Sequence, residues 1–358
     1  MKMRNDFARR LMGAALAGVS LTFGLGAQAQ ELEPLHLLTP NVAATSTYAA
    51  FVAEELGFYK DQGLEVTYDN GGDTTVPFIA FLVNKQVDLT MLDSAQVLQA
   101  VNAGQPISVI YEVMQYAPDR VSVAADSPIQ SLSELKGKTI GLAGDRDQNT
   151  LQIILDFVGL KIEDVKTAVV GDSGPVLAKA LQDGTIDAFA GGGNDTNGIE
   201  SAGLKLRNIT PAAASENPGN VFVILNERKE ELRDRVTRFL KAYSMANNAG
   251  LLGYKVVASI AKKVRPDQWE NLPAGYKLLD TAAYQTTLVR TRLRGETQPD
   301  VWAKIQPPYV KLGELKAEVD PATFLDNSFI EGANDYKTEE VKVALEKWKK
   351  ENADILLP

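Results

Sequence analysis

Residues 132–189 constrain the fold more than any other stretch. Leu135-Lys136-Gly137-Lys138 turns the chain into the short apolar run Thr139-Ile140-Gly141-Leu142, which Ala143-Gly144-Asp145 breaks. Residues 150–158 then carry apolar side chains at helical spacing, Gly159-Leu160 closes that helix, and Val169-Val170 gives a second strand. A second helix over 176–181 leads through Asp183-Gly184-Thr185-Ile186-Asp187 into a third strand at Ala188-Phe189. Short strands alternating with helices at these intervals imply a parallel sheet. Each strand ends in a loop of Gly, Asp, Ser or Asn, and open α/β sheets hold ligands beside such loops.

The half before Leu132 follows the same order. Strands are predicted at 35–38, 64–68, 87–91 and 107–113, with helices at 47–56, 76–83 (capped by Thr74 or Thr75) and 95–102. A further strand at 220–225 brings the chain back after the second unit. Two lobes joined by two crossing segments form a hinge suited to closing over a solute. The expected organisation is a leader at 1–29, the first part of lobe 1 at 30–122, an inserted lobe 2 at 123–219, a helical second part of lobe 1 at 220–335, and a C-terminal helix and tail at 336–358. Helices are expected at 231–252, 256–263, 284–294 and 299–312, with a charged amphipathic one at 338–350.

The N-terminus indicates where the protein works. Lys2, Arg4, Arg9 and Arg10 precede the uncharged apolar stretch 11–25, and Ala27-Gln28-Ala29 offers a signal-peptidase site. That stretch is short for a span of about 20 residues, so an export signal fits better than a membrane anchor. The chain has no Cys, which excludes disulfides and a lipidated cysteine. The expectation is a soluble periplasmic protein, exported by the general or the twin-arginine route.

Composition narrows the function. The net charge is −9, and removing the basic leader makes the rest more acidic still. A basic face for nucleic acid or anionic membrane is therefore not expected. The single His36, with no Cys, leaves a transition metal nothing but carboxylates, so no metal or other cofactor is expected. His36 lies in Leu35-His36-Leu37-Leu38 and reads as a residue beside a strand. Roughly 330 residues beyond the leader suit two ordinary domains.

Four segments carry a resemblance to a known family. They are Ala53-Glu54-Glu55-Leu56-Gly57-Phe58-Tyr59-Lys60-Asp61-Gln62-Gly63-Leu64-Glu65-Val66, Gln86-Val87-Asp88-Leu89, residues 132–142, and Asp183-Gly184-Thr185-Ile186-Asp187-Ala188. The chain resembles the solute-binding proteins of ABC importers in the NMT1/THI5-like group, which includes binders of thiamine-pyrimidine precursors, sulfonates and nitrate. The resemblance covers most of the chain up to about Gly253. It implies an α/β type II periplasmic-binding fold, two lobes with parallel-type sheets joined by a two-strand hinge, a solute held between the lobes, and permease subunits in the inner membrane as partners of a monomer. Relatives of this fold that make the thiamine pyrimidine depend on His, Cys and a Lys-bound pyridoxal phosphate. Without Cys and with one His, that machinery has no counterpart here. No nucleophile elbow, phosphate-loop Lys or His-Glu-x-x-His is present either.

The candidate ligand-binding residues lie in the loops after the strands. In lobe 1 they are Asn41, Gly72, Asp73, Thr74, Asp93 and Ser94; in lobe 2 they are Asp145, Gln148, Asn149, Asp172, Ser173, Asn194 and Asp195. Gly71-Gly72-Asp73-Thr74-Thr75 exposes backbone N–H groups at a helix start, a place for an oxygen-rich group. Tyr48, Tyr116 and Phe189 are candidate aromatic walls for a flat ring. The simpler reading of each loop Asp is a helix cap, and of each ring a core contact. Several carboxylates opposed only by Arg146 predict a neutral or partly cationic nitrogen-bearing solute of the pyrimidine type. A sulfonate, nitrate or other small anion is the alternative.

Overall fold

The computed structural model describes residues 31–40, 45–70, 77–144, 146–287 and 289–358; the side chains of Asn70, Arg146 and Asn194 are not among what it describes, and the leader read at 1–29 lies outside it. Among the described residues, ten strands form two five-stranded sheets. The first contains β1 (Glu33–Thr39), β2 (Leu64–Asn70), β3 (Leu89–Asp93), β4 (Ile107–Glu112) and β10 (Asn220–Leu225) in the order β2-β1-β3-β10-β4. The second contains β5 (Arg120–Ala124), β6 (Thr139–Leu142), β7 (Lys166–Val169), β8 (Ala188–Gly191) and β9 (Leu206–Asn208) in the order β7-β6-β8-β5-β9. Strands linked through helices pair in parallel, β1 with β2 and β3, and β6 with β7 and β8. The two strands that carry the chain across, β5 and β10, run antiparallel to their neighbours.

The helices of the two βα halves are α1 (Tyr48–Glu55), α2 (Phe58–Asp61), α3 (Phe78–Val83), α4 (Ser94–Asn102), α5 (Arg146–Asp156), α6 (Gly174–Gln182) and α7 (Gly193–Ser201). The tail adds α8 (Lys229–Leu252), α9 (Tyr254–Val264), α10 (Leu272–Thr287), α11 (Pro299–Lys304), α12 (Gln306–Lys311), α13 (Ile330–Ala333) and α14 (Thr338–Glu351). The helix expected at 284–294 instead ends at Thr287. From Val289 the chain runs without helix to Pro299, through Gly295, whose backbone has φ +84° and whose Cβ position lies 2.2 Å from the Tyr111 ring. Only glycine combines that backbone conformation with that close approach.

Burial follows the two-residue period of a strand. Phe222 and Ile224 of β10 enter the core under α8, where Phe222 meets Phe239 and Tyr243 with ring centroids 5.3 and 5.1 Å apart. Val221, Val223 and Leu225 enter the opposite core with Trp302 and Phe324. The first sheet is thus covered on both faces, and β10 reads as a continuous apolar run for that reason. In the second sheet Ala188 and Ala190 face α5, while Phe189 faces α6 and α7.

The chain passes between the sheets twice, after β4 and before β10, and the two passages are bonded to each other. Gly219 donates to the Met114 carbonyl at 2.8 Å and Ala117 to the Ser215 carbonyl at 2.9 Å. At the end of β4 the Glu112 carboxylate is fully buried. It accepts from Trp302 Nε1 at 2.8 Å and Arg290 Nη2 at 2.9 Å. Burial pushes this carboxyl up to about 7, against the downward pull of Arg290 and of the Trp302 hydrogen bond. A solvated glutamate loses its proton near 4.3, so the folded chain holds it more tightly than the unfolded one. The stability this group contributes is full below the unfolded value and is lost as pH rises through 7. Glu112→Gln should therefore flatten the fall in melting temperature between about pH 5 and 7. An unchanged slope would assign that fall to other groups.

Candidate functional site

The two sheets face a cleft of about 740 Å³, lined from both lobes, both crossing segments and the tail. From the first sheet come Asp93, Ser94 and Gln96, where β3 runs into α4. The local sequence builds a capping box there: Asp93 accepts from the Gln96 amide at 2.8 Å, and Gln96 Oε1 accepts from the Asp93 amide at 3.0 Å. From the second sheet come Gly192, Gly193 and Asp195, where β8 runs into α7, and Asn149, Thr150 and Ile153 of α5. Asp195 accepts from the Gly192 amide at 3.0 Å. Nearby, Asp147 ties down the start of α5 by accepting from the Ala143 and Gly144 amides, both at 2.9 Å. The crossing segments contribute Pro118, Asp119, Asn217 and Asn220, and the tail contributes Gln285, Ile305, Tyr309 and Glu314.

Four carboxylates therefore line the cleft, Asp93, Asp119, Asp195 and Glu314, and no Lys or Arg does so among the described residues. Burial first, then the charges of Asp93, Glu314 and Asp119, push the Tyr309 phenol up, while its hydrogen bond with Ser94 pulls the other way. The phenol thus stays protonated at neutral pH, in a field set by three of these carboxylates. Around the glycine pair the packing is close: a Cβ on Gly193 would lie 2.7 Å from Gln285 Nε2 and 3.1 Å from Arg120 Nη2. A Cβ on Gly192 would lie 3.5 Å from Asp195 Oδ2 and 3.8 Å from Asp119 Oδ1. Two carboxylates, an amide and a guanidinium thus converge on this loop because it has no side chains. Burial pulls Arg120 down, and Glu200 and Asp119 oppose that.

The lobes touch on either side of the cleft. Ile153 of α5 packs on the Trp302 core, and Lys311 of α12 bonds Asp156 of α5 at 2.5 Å. On the other side α10 meets α7 through Asn197 Nδ2 donating to Thr281 Oγ1 at 2.7 Å and a Lys277–Glu200 ion pair.

Of the candidate residues, Asp93, Ser94, Asn149 and Asp195 line the cleft. Asn41, Gly72, Asp73, Thr74 and Asp145 lie outside the described residues, as does the Asn194 side chain. The others are placed elsewhere. Tyr48 is fully buried beneath α8, donating to the Asn247 carbonyl at 3.2 Å, and Phe189 is equally buried under α6 and α7. Both rings belong to the core and form no wall. The Tyr116 ring stacks under the Arg290 guanidinium, 5.6 Å from it. Gln148 is exposed on α5, and Asp172 and Ser173 are exposed after β7, the outermost strand of its sheet, where the loop lies away from the crossing segments. Asp119, Gln285, Tyr309 and Glu314 were not among the candidates. Asp119 stands in Ala117-Pro118-Asp119, a turn signal that could have flagged it; the tail residues carry no local signal.

Residues 44–249 match the NMT1/THI5 like family model. The chain belongs to the NMT1/THI5-like family. Among curated relatives it is 30% identical over 145 residues to a Haemophilus influenzae protein named for thiamine biosynthesis, a match spanning 40% of this chain and 45% of that one. It is 20% identical over 301 residues to the riboflavin-binding protein RibY of Chloroflexus aurantiacus, covering 82% of this chain and 84% of RibY. The periplasmic aliphatic sulphonate-binding protein SsuA of Escherichia coli has the same fold, with a TM-score of 0.64, 17% identity, and coverage of 81% of this chain and 91% of SsuA. The desulfurization enzyme DSZB shares the fold as well, with a TM-score of 0.58, 15% identity, and coverage of 84% and 98%.

Proposed function

We propose that this NMT1/THI5-like chain is the periplasmic solute-binding component of an ABC importer, and that it captures a small nitrogen-bearing organic solute between its lobes and delivers it unaltered to a membrane permease. The observation that carries the ligand class is the four carboxylates that line the cleft. Carboxylates in a lining can accept from ammonium and ring N–H donors. At the start of α4, where an anion could otherwise sit, the Gln96 amide is already served from within by Asp93. The volume suits a solute of one or two rings, since pockets for such molecules span about 300–1,000 Å³. The riboflavin-binding protein RibY, to which the chain is similar, supports a nitrogen heterocycle as the solute class.

Capture follows from two lobes that contribute contacts to one solute. Contacts made to both lobes only when they meet raise the closed population by the solute's differential affinity for the two arrangements. Among the described residues the lining holds no Cys, His or Lys to act as a nucleophile or carry a cofactor, which favours binding over the enzyme reading. Isothermal titration against an aminopyrimidine, riboflavin, an alkanesulfonate and nitrate tests the assignment. A nitrogen ring should bind and the two anions should not. Binding of the anions alone would remove the ligand class and leave transport standing; turnover of any compound would remove the transport reading.

A further inference from the structure

Arg290 touches every part of the connection between the lobes. Its Nη2 donates to Glu112, the last residue of β4, at 2.9 Å. Its Nη1 donates to the Glu216 carbonyl on the second crossing segment at 2.8 Å. Its guanidinium covers the ring of Tyr116 on the first. Its backbone amide donates to Gln115 Oε1 at 2.6 Å, and Gln115 Nε2 donates in turn to Thr291 Oγ1 and the Glu296 carbonyl, both at 2.8 Å. The Glu112 amide donates to the Gly295 carbonyl at 2.8 Å. Residues 290–296 thus lie along the two crossing segments as a third element, and the guanidinium side chain is only 8% exposed.

We infer that Arg290 is the positioning residue of the hinge, a clasp from the tail that holds both crossing segments at the angle at which the lobes meet. This rests on the reading of the cleft as a site that closes over its solute. The planar fork of an arginine can bond Glu112 and the Glu216 carbonyl at once only for one spacing of the two segments. Rotation of one lobe against the other changes that spacing. The clasp is intact in an arrangement where Ile153 and Lys311 also bridge the lobes, so it favours the closed form. Arg290 is not among the residues lining the cleft and would act on affinity through this equilibrium.

The absence of native Cys allows paired spin labels, one on each lobe, at exposed Lys161→Cys and Glu318→Cys. Distances are measured by pulsed electron resonance on the full chain without ligand. Arg290→Lys keeps the charge and loses the fork, and should raise the open-to-closed ratio roughly tenfold, seen as a longer mean distance. Arg290→Ala should do more if it folds, and Tyr116→Leu less. Trp348→Phe removes a hydrogen bond to Glu55 in the core under α14 and should lower stability without moving the distance. Wild-type distances in folded Arg290→Lys and Tyr116→Leu would overturn the inference, as would an equal shift in Trp348→Phe. The labels read the hinge without a solute, so failure of the titration panel beside a shifted distance would fault the ligand reading and leave the clasp standing.

Discussion

Asp195→Asn is expected to weaken binding of a cationic or N–H-rich solute by about 30- to 5,000-fold, the range for removing one partner of a desolvated charged pair. The melting temperature should stay within about 2 °C of wild type. The two effects separate because an asparagine oxygen can take over the cap. Asp195, at the third position of α7, reaches back to accept from the amide of the N-cap Gly192, a bond an asparagine oxygen can also accept. Asp93→Asn should behave the same way at the opposite wall, where the Gln96 amide is the donor. Alanine at either site would confound the loss of charge with the loss of a cap. Titration of both Asn variants against the best-binding solute of the panel provides the check. Unchanged affinity in both would remove the carboxylates from the site and leave them as caps alone.

Trp302→Ala should destabilise the fold by about 3–5 kcal/mol, the usual cost of emptying a buried indole. Leaving a buried acceptor unpaired adds about 1–3 kcal/mol. The ring is fully buried between Phe324, 5.5 Å away, and the apolar face of β10, and its Nε1 is one of two donors to the buried Glu112. A fall in melting temperature of at least about 10 °C is expected. Trp302→Phe should recover most of the packing but not the hydrogen bond. Near-equal melting of the alanine variant and wild type would mean that the tail core does not support the first sheet.

The fold was legible where the pattern is local. The period-two burial of β10, the Gly-Phe-Tyr break after α1 and the strand-helix alternation of 132–189 each follow from neighbouring residues. Asp93 and Asp195 were legible as polar residues at strand ends, and they are both caps and cleft lining, so the two readings were never exclusive. The aromatic walls were misassigned because a ring on a predicted helix or strand faces core or cleft according to packing partners far along the chain: Tyr48 is covered by α8 and α10, some 200 residues later. The same distance hides Gln285, Tyr309 and Glu314, which reach the cleft only because the tail returns to it. Their segment carries prolines and short helices, and its sequence shows no period that ties it to either lobe. Arg290 reads as one surface charge among many until the tail is folded onto the crossing segments.

The central claim is that this cleft holds a nitrogen-bearing solute and releases it unchanged. The most direct test is native mass spectrometry of the protein purified from the organism that makes it, followed by denaturation and identification of what it carried. The account predicts one small solute per chain, rich in ring or amino nitrogen and chemically intact. Recovery of a sulfonate or other anion, or of a compound altered by incubation with the protein, would contradict it.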